Sequence, residues 1–219
     1  MLTWLRHPEV RLPDDGPPLA LPRLPAESLA ATMRAFLAAA PWRASATSWS
    51  LLGSHDTTRI RSVVRDPAVG EVAAGLLFTM PGTPMVFAGD EIGIEGVGDP
   101  GTRQPFPWHR PEVWDRTTLA RYRGLAALRR EHHALCRGGL RWVHAEGDAL
   151  VYLRESERQR LLVLAARAGR GPLRLPTGAL GLAGEAPTLY GDADPLRADP
   201  DGFLTLPGDG PTFQLWQLA

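Results

Sequence analysis

Two apolar, β-prone runs each close on small residues and then on carboxylates, with a single helix between them. This repeated unit constrains the fold more than any other feature of the chain. The first run covers residues 46–53 and leads into Gly53-Ser54-His55-Asp56-Thr57. The second, residues 85–88, leads into Gly89-Asp90-Glu91. Between them, Asp66-Pro67 places a capping side chain just before a proline at the first helical position. Val69, Val72, Ala73, Leu76, Leu77 and Met80 then recur at helical spacing until Pro81-Gly82 stops the helix. In a parallel α/β barrel, polar residues at C-terminal strand ends lie on the catalytic face.

The rest of the chain falls into two regimes. Five prolines between residues 11 and 25 exclude regular structure and predict a surface loop. Leu29, Met33, Phe36 and Leu37 predict a helix over 27–40, which Pro41 closes. Residues 89–116 are rich in glycine and proline and predict a long loop. Residues 117–132 are again helical, with Leu119, Tyr122, Leu125, Ala126 and Leu128 on one side. After Gly138-Gly139 the period changes. Short β-like runs over 140–145, 149–154 and 161–166 alternate with polar turns, the pattern of an antiparallel sandwich.

Composition limits the partners. Twenty-four basic and twenty-four acidic residues give a net charge of zero, so no global field draws the chain to nucleic acid or an anionic membrane. An apolar fraction of 44% is that of a globular protein. The single cysteine, Cys136, excludes an internal disulfide and suits a reducing compartment. With no apolar leader-like stretch at the start and no run long enough to span a bilayer, a cytoplasmic location is expected.

Residues 48–56 (SWSLLGSHD) resemble the strand-7 motif of the α-amylase superfamily, glycoside hydrolase family 13. Residues 82–108 (GTPMVFAGDEIGIEGVGDPGTRQPFPW) resemble its strand-8 motif and the loop beyond. The Gly-Ser-His-Asp form is most similar to neopullulanase and α-glucosidase-like members. The resemblance implies an α/β chain. Residues 1–137 would form an incomplete (β/α)8 barrel, comprising strands 7 and 8 with flanking helices. Residues 138–219 would form an all-β antiparallel sandwich domain. A complete barrel takes about 250 residues, and the motifs of the family's nucleophilic Asp and general-acid Glu are not found in this sequence. The expectation is therefore the C-terminal part of a larger enzyme, through truncation, frameshift or a split gene. Alternatively, a second chain supplies the N-terminal barrel half. The implied reaction is retaining hydrolysis or transglycosylation of an α-glucan, with this chain inactive alone.

A retaining glycosidase sets a nucleophilic carboxylate and a carboxylic acid about 5 Å apart around the anomeric carbon. The family adds a third carboxylate that stabilises the oxocarbenium-like transition state. The resemblance gives that role to Asp56, with His55 hydrogen-bonding the same sugar. It makes Asp99 and Arg103 substrate-binding residues and puts Glu91 at the barrel rim. Each has a plainer alternative: Asp56 as a turn cap, Asp99–Arg103 as a surface ion pair, Glu91 as loop support. No cofactor and no metal is called for, and the expected partner is an α-glucan or maltooligosaccharide. A reading of a different class is a non-catalytic carbohydrate-binding or regulatory remnant.

Several lookalikes are set aside. Gly96-Val97-Gly98-Asp99-Pro100-Gly101 matches G-x-G-x-x-G, but Pro105, Pro107 and Pro111 prevent the helix a dinucleotide site needs. His132, His133, Cys136 and His144 fit no zinc spacing. Trp108, Trp114 and Trp142 suit packing as well as sugar stacking. Arg197-Ala198-Asp199, which contains the Arg-x-Asp core of the nucleophile motif, reads as a hairpin turn.

Overall fold

The computed structural model describes residues 1–10, 22–182 and 184–218. Most of the loop expected over 11–25 lies outside the described residues, and 22–25 are irregular as expected. The helices are α1 (Leu2–Leu5), α2 (Ala26–Ala38), α3 (Trp42–Thr47), α4 (Ile60–Val64), α5 (Pro67–Thr79), α6 (Arg116–Glu131) and α7 (His133–Arg137). Two short strands, β1 (Trp49–Leu51) and β2 (Thr83–Met85), sit among them. Nine strands follow: β3 (Gly139–Glu146), β4 (Ala149–Ser156), β5 (Gln159–Ala166), β6 (Leu173–Pro176), β7 (Glu185–Ala186), β8 (Thr188–Tyr190), β9 (Leu196–Arg197), β10 (Phe203–Leu206) and β11 (Thr212–Gln217).

β1 and β2 pair in parallel, Trp49 opposite Thr83 and Leu51 opposite Met85. Two helices rather than one lie between them, α4 and α5, and α5 begins as the sequence indicates, with the Asp66 carboxylate accepting from the Ala68 N–H at 2.8 Å. This is the pairing expected of neighbouring strands in a parallel α/β barrel, in which the C-terminal strand ends share one face.

Two expectations about these strands are corrected. Residues 46–53 are not one buried strand, because α3 takes residues up to Thr47 and only Trp49–Leu51 extend. Trp49 is 74% exposed, since β2 is the only strand paired with β1 among the described residues and nothing there covers its outer face. The second strand lies earlier than 85–88, because the ladder partner β1 runs opposite Thr83–Met85 and ends at Leu51. Phe36, one of the apolar positions that predict α2, is 70% exposed. The buried stripe of α2 is confined to Ala26, Leu29 and Ala30.

β3, β4, β5, β11 and β8 form an antiparallel sheet in that order, and β6 pairs with β10 in a second layer. β4 and β5 are buried on both faces, which is why they read as continuous apolar runs. Leu150, Tyr152, Leu161, Val163 and Ala165 face the helices, in one cluster with Val72, Leu76 and Leu125. Val151, Leu153, Leu162 and Leu164 face Leu175, Leu204 and Leu206 of the second layer. The helical core thus runs without a break onto the large sheet. Gly75 of α5 makes the closest approach, since a Cβ there would meet the Phe213 ring of β11.

Two buried arginines lock this joint. Arg129 donates to the carbonyls of Phe78 (2.6 Å), Met80 (3.2 Å) and Gly82. Arg154 donates to Thr79 O, to Gly138 O at 2.7 Å and to Gly139 O at 3.2 Å. Both cations therefore sit at the C-terminal end of α5, where unpaired carbonyls and the helix dipole favour positive charge. Burial, with Arg129 adding repulsion, brings the Arg154 guanidinium down to about 10.

Candidate functional site

The turn after β1 is built by Ser54 and Thr57. Ser54 N–H donates to Thr57 Oγ1 at 2.8 Å, and Asp56 N–H donates to Ser54 Oγ at 3.3 Å. Those hydroxyls satisfy the turn's backbone. The Asp56 carboxylate therefore does not serve as its cap, and it projects outward instead. His55 Nε2 lies 3.1 Å from Asp56 Oδ2. An Arg103 guanidinium nitrogen donates to Asp56 Oδ1 at 3.1 Å, and another lies 3.5 Å from Asp99 Oδ2.

The four substrate-contact candidates, His55, Asp56, Asp99 and Arg103, therefore form one cluster. All four side chains are roughly half exposed or more, so the individual ion pairs contribute little to stability. What they provide is an open surface of donors and acceptors. A forked guanidinium and two carboxylates match vicinal hydroxyls in bidentate fashion.

The loop that carries Arg103 is tied to the strand end by Arg59, a residue the sequence reading passed over. Its backbone N–H donates to Gly96 O at 3.0 Å. Its side chain is 2% exposed and donates to Thr102 O (3.1 Å), Ala88 O (2.7 Å) and Asp90 Oδ1 (3.2 Å). The guanidinium carbon lies 3.9 Å over the Phe87 ring. One side chain thus joins the end of β1, the end of β2 and the 96–104 loop. Thr102 Oγ1 and Arg103 Nε complete the attachment by donating to His55 O at 3.1 and 3.3 Å.

Asp90 is the acid partner and is itself buried. Burial raises its carboxyl to about 6, while the bond and charge of Arg59 oppose that rise. Glu91 turns away from the cluster. Its Oε2 accepts the Gly89 N–H at 2.7 Å, which braces a turn where Gly89 has φ of 105°. An open pocket lies beside the cluster, walled by His55, Phe87, Arg103, Gln104 and Phe106.

The lookalikes have other work. Asp199 accepts from the N–H groups of Asp201 (3.1 Å) and Phe203 (2.9 Å) and closes the turn before β10. His132 Nδ1 pairs with Gln159 Nε2 at 2.7 Å, and the Cys136 thiol donates to Arg129 O at 3.0 Å. Among the described residues no group of three or more His, Cys, Asp or Glu is arranged to hold a metal. No helix there is long and apolar enough to cross a membrane.

Much of the chain is similar to known proteins. Residues 26–119 match the catalytic domain of α-amylase. The chain is 35% identical over 131 residues to a cyclomaltodextrinase of a Bacillus species, covering 58% of this chain and 23% of that one. It is 37% identical over 113 residues to neopullulanase 2 of Thermoactinomyces vulgaris, covering 51% and 19% respectively. A debranching enzyme from Nostoc punctiforme superposes with a TM-score of 0.82 at 25% identity, over 99% of this chain and 45% of that one. The fold is therefore that of the C-terminal barrel strands and β-domain of a glycoside hydrolase. Over residues 26–119 the chain is similar to the catalytic domain of the α-amylase superfamily, glycoside hydrolase family 13. It spans about a quarter or less of the cyclomaltodextrinase and neopullulanase it matches.

Proposed function

We propose that this chain supplies the third carboxylate and part of the sugar-binding edge of a retaining hydrolase or transglycosidase acting on α-glucans. The observation that carries this reading is the bridge from Arg103 to both Asp56 and Asp99, with His55 on the other Asp56 oxygen. In this role Asp56 hydrogen-bonds sugar hydroxyls. Its negative charge gains most from the interaction as positive charge develops at the anomeric carbon, so it favours the transition state over the ground state. Arg103 holds the carboxylate in place and, with Asp99, grips a neighbouring sugar. His55 donates to the same ring as Asp56.

The nucleophile and general acid come from a segment bearing the other barrel strands, in the same polypeptide or in a partner. The exposed face of β1, with Trp49 and Leu51, and its edge, unpaired among the described residues, suit such a segment. Without it the chain is inactive, and a cytoplasmic setting fits its single free cysteine.

A chimera tests the proposal. The N-terminal portion of the Bacillus cyclomaltodextrinase, ending before its counterpart of α2, is joined to this chain from residue 26 onward. Hydrolysis of maltohexaose by the chimera, and none by the 219-residue chain alone, is the expected result. A folded chimera with no activity above background contradicts it.

A further inference from the structure

Trp108 is 74% exposed, yet it is far from loose. Its ring centroid lies 4.2 Å from that of Phe106 at a 36° tilt, and 6.3 Å from that of Trp114 in an edge arrangement. Phe106 and Trp114 meet edge to face at 5.4 Å. Trp114 Nε1–H is fixed on Pro107 O at 3.1 Å, and the Trp108 N–H donates to Phe106 O at 2.9 Å. Pro105, Pro107 and Pro111 restrict the backbone of this short stretch. Phe106 and Trp114 thus support the Trp108 ring without covering it. An indole held out in water by two other aromatics gains little for the fold, because most of its apolar area stays wet.

The cluster is continuous with the polar site. Phe106 belongs both to this aromatic group and to the wall of the pocket that holds His55 and Arg103. One end of the surface therefore offers hydroxyl-binding groups, and the other offers a pre-ordered apolar plane. A pyranose has both characters, a rim of hydroxyls and flat C–H faces. We infer that Trp108 is a stacking platform for a glucose unit of the bound chain, lying beyond the Asp99–Arg103 contact and extending the binding edge of the same site. The ligand class, a maltooligosaccharide, rests on the function proposed above. Because Phe106, Trp114 and the prolines hold the ring in place beforehand, ordering it on binding carries little entropic penalty.

The test is calorimetric titration of the full 219-residue chain with maltohexaose, which needs no turnover and no missing segment. The expected result is saturable binding by the wild type, at least about tenfold weaker binding by Trp108→Ala, and binding within about threefold of wild type by Trp108→Phe. Thermal melts of both variants should match the wild type, since the ring is exposed. Equal affinity of Trp108→Ala and wild type, or no saturable binding by the wild type, overturns the platform. Failure here is separable from failure of the catalytic reading. A platform without catalysis shows the Trp108→Ala loss while the chimera is inert. Catalysis without a platform shows an active chimera and an unchanged Trp108→Ala titration.

Discussion

Arg59 and Asp90 form an ion pair of 3.2 Å beneath the candidate site, with side chains only 2% and 4% exposed. The exposed pairs above it each add little to stability. This one is built into the fold, because the same guanidinium also satisfies the carbonyls of Ala88 and Thr102.

Replacing the cation tests that statement. Arg59→Met keeps much of the volume but leaves a buried carboxylate and two carbonyls without partners. Breaking one side of a buried pair costs about 3–5 kcal/mol. Urea denaturation of the variant should show a loss of that order, whereas Arg103→Ala, whose side chain is half exposed, should lose about 1 kcal/mol or less. Similar losses for the two variants would remove Arg59 from its central position.

The pair also gives stability a pH signature. Burial raises the Asp90 carboxyl to about 6 from 3.8, against the opposing bond and charge of Arg59 and with the charge of Glu91 adding to the rise. The folded chain therefore holds this proton more tightly than the unfolded chain. Its contribution is full below about pH 4, declines as pH rises to about 6, and is flat beyond. Asp90→Asn does not titrate. The stability of wild type relative to Asp90→Asn should fall between pH 4 and 6 in parallel denaturant series. A relative stability that rises across that window would mean that Arg59 outweighs burial.

Arg154 makes a third case, at the joint between helices and sheet. Arg154→Leu fills similar space but abandons the carbonyls of Thr79, Gly138 and Gly139. Each buried, unsatisfied group costs about 1–3 kcal/mol, partly recovered by relaxation and by removing a buried charge. A net loss of about 3 kcal/mol is expected from chemical denaturation, with α5 the first helix to lose amide-exchange protection. Undiminished protection at Phe78 to Met80 would refute the capping role.

How far the sequence carries the argument differs from element to element. Asp66-Pro67 and the apolar spacing after it define α5 almost to the residue, because cap, proline and periodicity act locally. β4 and β5 are legible because both faces are buried. The limits of β1 and β2 are not legible, since a strand ends where its partner ends, and that partner is distant in sequence. The exposure of Trp49 and Phe36 has the same origin, as an apolar residue does not reveal what will cover it. Within the site, His55, Asp56, Asp99 and Arg103 were visible as a motif. Arg59 was not, because its partners are backbone carbonyls and a carboxylate 29 to 43 residues away, which leave no local pattern. Asp90 was overlooked beside Glu91 for the same reason. The sandwich itself is legible, but β6 and β10 of its second layer are not placed by the sequence, since strands this short show no period.

The central claim is that Asp56 acts on the transition state, and the most direct test is the kinetics of Asp56→Asn in the chimera described above. The side chain is exposed and its turn is capped by Ser54 and Thr57, so the variant should fold and melt like its parent. The account predicts kcat lower by about a thousandfold or more, with KM for maltohexaose changed by no more than about threefold. An unchanged kcat, or a loss confined to KM, would make Asp56 an ordinary binding group and contradict the account.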